Sequence, residues 1–361
     1  MGHGWSAVIN LPIGHWAKLG YLTMEFWHFG VPSISGVETL AQKCEQLGFD
    51  GLTLTDSQNL SNETYITLAL AARATSTLMI GPGVTNPLTR HAALTASAIA
   101  TLQEVSEGRA ILGIGRGDSS LFNIGHKPVS PSVFQNYLET LQIYLTGSSL
   151  DTNGYESRLK WLKNANIKKV PIDVAATGPK IIRMGAIIAE RVSFALGGDV
   201  ERIAWGINQV NQTLCEKIRT IEDKPSLGVY LNICVHDDVE RAAELVRPGV
   251  GIFAHFTGMP GANRKHVNQA DQSMFDKLGA SYDKVRHGRG DASHAQEMSV
   301  EFIDRFSVIG PPEVCIKKLK DIQKLGIDRI SVIGPRPDHF GDEADEALER
   351  FALDVIPTFK N

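Results

Sequence analysis

Short apolar runs alternate with longer amphipathic stretches along the whole chain. The runs at 7–11, 51–55, 78–83, 109–115, 172–176, 192–196, 227–235 and 329–333 are mostly β-branched or aliphatic and are bounded by Gly, Pro, Asp or Asn. That is the pattern of strands buried on both faces. Helices are predicted at 37–47, 92–102, 133–145, 181–190, 200–218, 238–246, 312–325 and 343–356. In the first of these Val37, Leu40, Ala41, Cys44 and Leu47 share one face; in the third Phe134, Tyr137, Leu138, Leu141 and Leu145 do. Ser132 is expected to cap the helix at 133, Gly178 and Pro179 to open the one at 181, and Gly326 to close the one ending near 325.

Strands and helices alternating in this way predict an α/β fold, a (β/α)8 TIM barrel with insertions, with an open doubly wound sheet as the alternative. Two stretches break the rhythm, at about 146–170 and 247–299. They are read as excursions of a single domain spanning 1–361, the second as a lid over the barrel mouth.

Composition narrows the partners. The 361 residues carry 36 Lys+Arg and 40 Asp+Glu, a formal charge of −4, with 43% hydrophobic and 21% charged residues. Ordinary globular usage excludes disorder, and the slightly acidic balance offers no electrostatic case for nucleic acid or an anionic membrane. Cys44, Cys215, Cys234 and Cys315 form no CxxC pair, which fits reduced thiols in a cytoplasmic protein rather than a disulfide framework or zinc ribbon. The eleven histidines make no HExxH or His-x-His motif, so no metal is expected.

In a barrel the chemistry sits where strands end. Polar and glycine residues collect at five such ends: Thr55-Asp56-Ser57-Gln58, Gly83 to His91, Gly115-Arg116-Gly117-Asp118, Thr177-Gly178-Pro179-Lys180 and Gly197-Gly198-Asp199. Gly113-x-Gly115-x-Gly117 is one residue short of a dinucleotide fingerprint and reads as a tight strand-end turn. Thr177 to Lys180 combines a hydroxyl, an open glycine, a helix start and a cation, which suits an anion, against a plain loop-to-helix start. His91 is a candidate at the site edge, a satisfied structural histidine being the alternative. Trp16, Tyr21, Phe26, Trp27 and Phe29 are expected in the first loop, as candidates to wall an apolar pocket, with aromatic packing under a long loop as the alternative; His15 and His28 are lesser candidates in the same segment. His287 and His294 are expected on a solvated loop.

Several of these segments together resemble the bacterial-luciferase-like superfamily of flavin- and deazaflavin-dependent oxidoreductases. They are Leu47-Gly48-Phe49-Asp50-Gly51, Gly81 through His91, Glu107 through Asp118, Ala176 through Lys180 and Leu325 through Arg329. The resemblance is nearest the methylenetetrahydromethanopterin reductase-like branch. It implies a dimeric (β/α)8 barrel that binds reduced FMN or coenzyme F420 in its mouth, with a non-prolyl cis peptide at Gly83–Val84 behind the ring. It further implies that Thr177, Gly178, Lys180, Gly197 and Gly198 grip phosphate. Asp56, Gly83, Val84, Thr85, Asn86 and Gly115 would lie against the cofactor, and Asp118, with His91, would be catalytic. The activity implied is an FMNH2-dependent monooxygenase supplied by a separate flavin reductase and acting on a small organic substrate. F420-dependent hydride transfer and a non-catalytic flavin-binding barrel are the alternatives.

Overall fold

The computed structural model describes residues 23–216, 224–258, 267–283, 288–289 and 292–360. Its strands are β1 (Glu25–Gly30), β2 (Gly51–Leu54), β3 (Met79–Pro82), β4 (Leu112–Ile114), β5 (Leu150–Thr152), β6 (Tyr155–Ser157), β7 (Ile172–Ala176), β8 (Arg191–Phe194), β9 (Ser226–Val235), β10 (Val308–Gly310) and β11 (Arg329–Ile333). The main sheet runs β3-β2-β1-β11-β9-β8-β7-β4, parallel throughout. Bridges from Ile80 to Ala110 and from Thr85 to Ile114 join its two outer strands and close the ring. The protein is a (β/α)8 barrel. β10 adds to the far half of β9, and β5 and β6 form a separate antiparallel hairpin.

Several sequence expectations need correcting. The strand expected at 7–11, with His15, Trp16, Tyr21 and His287, lies outside the described residues. The first described barrel strand is β1, so Phe26, Trp27 and Phe29 belong to a strand and not to a loop. Period-two alternation then sorts them. Phe26 packs outward on Phe351 and Phe359, each with ring centroids 5.4 Å away, while Trp27 lies against Gly51 of β2 and Phe29 against Tyr230 and Phe253.

No hydrophobic periodicity announces the helix Thr64–Ala74, because its buried stripe is Thr64, Thr67, Leu68, Ala71 and Ala72, too small and polar to contrast with exposed Ile66. The stretch 247–299 is largely helical. Val239–Gly258 runs straight through Pro248, followed by Gln269–Ser281 and Ser293–Gln296. Within 146–170 the hairpin turns at Asn153-Gly154, both at positive φ, the residue pair a two-residue hairpin favours. Ser130, not Ser132, caps Pro131–Leu145: its Oγ accepts the Val133 N–H at 3.3 Å.

Inside the ring the strand starts are polar and the strand ends apolar. Arg329 is buried and donates to Asp173 and Ser193 at 3.0 Å and to Ser226 at 2.8 Å. Gly228 makes room for it, since a Cβ there would sit 2.8 Å from the guanidinium. Toward the other end Val84, Phe29 and Ala175 pack on a second apolar cluster containing Tyr230, Phe253 and Ile333.

Candidate active site

The seam between β3 and β4 is built from glycine. A Cβ on Gly81 would lie 2.1 Å from the Ile111 carbonyl oxygen, and one on Gly113 2.1 Å from that of Pro82. The two strands therefore approach as no larger residue allows. Beyond them the peptide Gly83–Val84 is cis. Val84 projects over Gly113 and Gly115, where Cβ atoms would come within 3.4 and 3.1 Å of its methyl groups. Gly117, at φ +78°, turns the chain toward Asp118. The Gly113-x-Gly115-x-Gly117 run is thus a close-approach seam and a strand-end turn.

The ends of β2 and β3 are tied together by one carboxylate. Asp56 is buried; its oxygens accept from Thr85 Oγ1 at 2.6 Å, Arg90 Nη1 at 2.5 Å, Arg90 Nη2 at 3.3 Å and Gln58 Nε2 at 2.7 Å. Burial would pull the Arg90 guanidinium down, but the Asp56 charge and hydrogen bonds outweigh it and hold it above its ordinary value. Asn86 Oδ1 accepts the backbone N–H groups of Leu88 and Thr89 at 3.0 and 3.1 Å. Both amide side chains are thus fixed by one end, and the other end has no partner. Gln58 Oε1 and Asn86 Nδ2 are buried and make no hydrogen bond. A stranded acceptor and donor at neighbouring strand ends suit a ligand ring whose edge carries both carbonyl and N–H groups. A flavin or deazaflavin edge does, and the residues present fit it.

Asp118 follows β4, and its Oδ2 lies 3.3 Å from His255 Nε2. Both side chains are under one-tenth exposed. His255 comes from the helix Val239–Gly258, inside the stretch that sequence alone left irregular, and no motif marked it. Its ring stacks on Tyr282 at 3.7 Å, and Tyr282 in turn lies 4.4 Å from His294. Burial first, then the charges of Asp118 and Asp283, push the Tyr282 hydroxyl upward, so it stays protonated. His294 is buried, contrary to the solvated loop expected for it.

The other candidates are placed as follows. Gly178 caps Pro179–Ile188 with no side-chain cap, and open space lies where its Cβ would be; Thr177 is half-buried and Lys180 exposed beside it. Gly197, at φ +77°, and Gly198 pack on Phe306 and Ser307, and the Gly198 N–H donates to the Phe306 carbonyl at 2.7 Å. His91 is exposed at the N-terminus of Ala92–Val105, where its Nδ1 accepts the Ala93 N–H at 3.2 Å. His28 does not reach the mouth. It faces Phe49, and burial, with the Lys43 charge, pushes its imidazole down to about 4. Among the described residues no group of three His, Cys, Asp or Glu converges on a metal position, and no helix is long and apolar enough to cross a membrane.

Comparison with known proteins supports the fold and gives the family. The sequence profile of the Luciferase-like monooxygenase family matches residues 7–329. The 5,10-methylenetetrahydromethanopterin reductase of Methanopyrus kandleri is 26% identical over 351 residues, covering 89% of this chain and 94% of that protein. Among solved structures, the coenzyme F420 dependent tetrahydromethanopterin reductase of M. kandleri superposes with a TM-score of 0.72 at 22% identity, over 93% of this chain and 99% of that one. The oxygenating constituent of 3,6-diketocamphane monooxygenase from Pseudomonas putida, a type II Baeyer-Villiger monooxygenase in complex with FMN, gives 0.64 at 15% identity, over 93% and 98%.

Proposed function

The chain belongs to the Luciferase-like monooxygenase family, and from that premise we propose that it is an oxidoreductase that moves hydride between coenzyme F420 and a small organic substrate. The observation that carries this reading is Asp118, a buried carboxylate beside an imidazole at the mouth of the barrel. Hydride moved onto or off a substrate carbon is balanced by a proton on the substrate, and Asp118 is placed to hold that proton. The 26% identity to a methylenetetrahydromethanopterin reductase over nine-tenths of the chain, with 29% identity over 220 residues to an F420-dependent glucose-6-phosphate dehydrogenase of Microbacterium testaceum, supports F420 ahead of FMN.

The deazaflavin supplies the two-electron chemistry when bound. Gln58 Oε1 and Asn86 Nδ2 orient its polar edge, Asp56 keeping the Gln58 amide in place and the Leu88 and Thr89 N–H groups the Asn86 amide. Phe29, Val84, Tyr230 and Phe253 exclude water from the reacting face. Thr177, Gly178 and Lys180 receive the anionic tail at the N-terminus of Pro179–Ile188. His91 is left with the helix cap, and catalysis rests on Asp118.

A monooxygenase fed with reduced FMN by a separate flavin reductase is the second reading, supported by the same dry apolar wall. We also propose a homodimer. Ile66, Leu94 and Val133 are exposed on the first turns of three helices that pack side by side, and they offer apolar surface to a second copy.

Fluorescence titration with F420 and FMN, each oxidised and reduced, decides between the cofactors. F420 binding tighter by about tenfold or more, a difference of ~1.4 kcal/mol, is expected. Preference for reduced FMN, with oxygen uptake in the presence of a flavin reductase, overturns it in favour of the monooxygenase. Binding of neither leaves a non-catalytic barrel.

A further inference from the structure

The excursion at 146–170 leaves the helix Pro131–Leu145 at its C-terminus and returns to the start of β7, so it lies at the end of the barrel opposite the candidate active site. The proposed function uses none of its residues. In a chain with a formal charge of −4, this stretch holds five Lys and Arg against two Asp and Glu. Like charges gathered in this way repel one another, and a bound anion relieves the repulsion.

The segment is pinned at both ends. Tyr144 Oη and Ser157 Oγ share a hydrogen bond at 2.8 Å, which ties the hairpin to the helix, and Gln103 Nε2 donates to the Lys168 carbonyl at 3.1 Å. Between these ties lies a cavity of about 340 Å³, within the size range of small-molecule sites. Leu145, Leu159, Leu162 and Ile167 line one side of it. All four belong to the main hydrophobic core or pack on it, so that wall is fixed before any ligand arrives.

Arg158, Lys160, Lys163 and Lys169 line the rest of the wall together with Thr146 and Gly147, and among the described residues no carboxylate does. Lys169 is committed to Glu190 at 2.5 Å, and Arg158 lies 3.7 Å from Glu156. Lys160 and Lys163 are in no ion pair among the described residues. They stand three residues apart on the 3-10 turn Lys160–Asn164, and side chains at that spacing eclipse in a 3-10 helix. Both lysines therefore leave the same edge of the turn. Leu159 and Leu162, packed on the core, hold the direction of that edge.

We propose that this cavity binds a small organic phosphate, its phosphate held by Lys160 and Lys163 and its apolar body against Leu145, Leu159, Leu162 and Ile167. Lysine meets phosphate as a point charge and needs no bidentate geometry, which suits two exposed ammonium groups side by side. The concave shape and the apolar wall favour a small molecule over a polyanion, which would need an extended cationic surface. The site is distinct from the anion site at Thr177 to Lys180, which lies at the strand ends, and it is independent of the cofactor bound there.

The test titrates phenyl phosphate into the full chain at low salt by isothermal calorimetry, with inorganic phosphate in parallel. The comparison proteins are the double variant Lys160→Ala/Lys163→Ala and the single variant Lys180→Ala. Both excursion lysines are exposed, and an unchanged melting temperature verifies that the double variant is folded. Phenyl phosphate should bind the double variant about tenfold or more weakly than wild type, and Lys180→Ala within about twofold of wild type. It should also bind wild type about fivefold or more tightly than inorganic phosphate does, because its ring covers the apolar wall. Unchanged affinity in the folded double variant, or affinity lost in Lys180→Ala, overturns the site. Equal affinity for the two ligands overturns the organic class, and no saturable binding below about 10 mM overturns the proposal as a whole.

Discussion

Arg90 sets both Nη atoms on the buried Asp56 carboxylate, at 2.5 and 3.3 Å, and so locks the loop after β3 to the loop after β2. Its Nη2 also reaches Glu63 Oε1 at 2.5 Å, and its guanidinium lies 4.8 Å from the centre of the Tyr65 ring. The two loops that carry Gln58 and Asn86 therefore behave as one unit.

Removing Arg90 should leave a buried charge without its main partner. Arg90→Ala is expected to cost about 3–5 kcal/mol by urea unfolding and to weaken cofactor binding as the Asp56 carboxylate that anchors Gln58 loses its cation. A cost below about 1 kcal/mol would class the pair with exposed ones and dissolve the lock.

Two glycines should respond in opposite ways. Gly113→Ala puts a methyl 2.1 Å from the Pro82 carbonyl oxygen and should either prevent soluble expression or destabilise by more than about 4 kcal/mol. Gly178→Ala meets open space and should change stability by no more than about 1 kcal/mol while reducing affinity for the phosphate-bearing cofactor. Unchanged affinity in that variant would remove Gly178 from the anion site.

His28 makes a specific contribution to acid sensitivity. Its imidazole lies at about 4 in the fold against 6.5 unperturbed, so between these values the unfolded chain binds the extra proton. Stability should rise with pH across that window and be fully present above about 6.5. His28→Leu should make the melting temperature less steep between pH 4 and 6.5, read from thermal scans in matched buffers. Equal slopes for the two proteins would mean that His28 is charged in the fold.

Arg329 tests whether the barrel floor and the mouth are separable. Breaking its contact with Asp173 by Arg329→Met should cost about 3–5 kcal/mol, because a shielded carboxylate loses its cation. Cofactor affinity of the folded fraction should match wild type, since the apolar layer of Phe29, Val84 and Tyr230 lies toward the mouth from it.

Local physics was readable wherever a residue's own neighbours decide its state. β7 and β11 were legible to the residue, because β-branched runs ended by Pro, Gly or Asp have no other good conformation. Gly178 and Pro179 opened their helix as read. β10, three residues long, carried too little pattern to be seen. The pattern predicts a helix that stops before Pro248, because proline removes one ladder hydrogen bond, a loss that packing against β9 and the helix Val300–Phe306 makes tolerable.

The sequence by itself determined the alternation of strands and helices, the strand-end turn through Gly117 and the strand ends that hold Asp56, Asn86 and Asp118, while the choice of a barrel over an open sheet and the cis peptide at Gly83–Val84 were implied by the family resemblance. The first group follows from periodicity and from residues that are contiguous in the chain. Only the tertiary structure decided that Asp56 is committed to Arg90, that Gly198 is spent on Phe306, and that Asp118 meets His255. Each of those contacts joins separate elements, and their partners become neighbours only when the ring closes and the excursion folds across it.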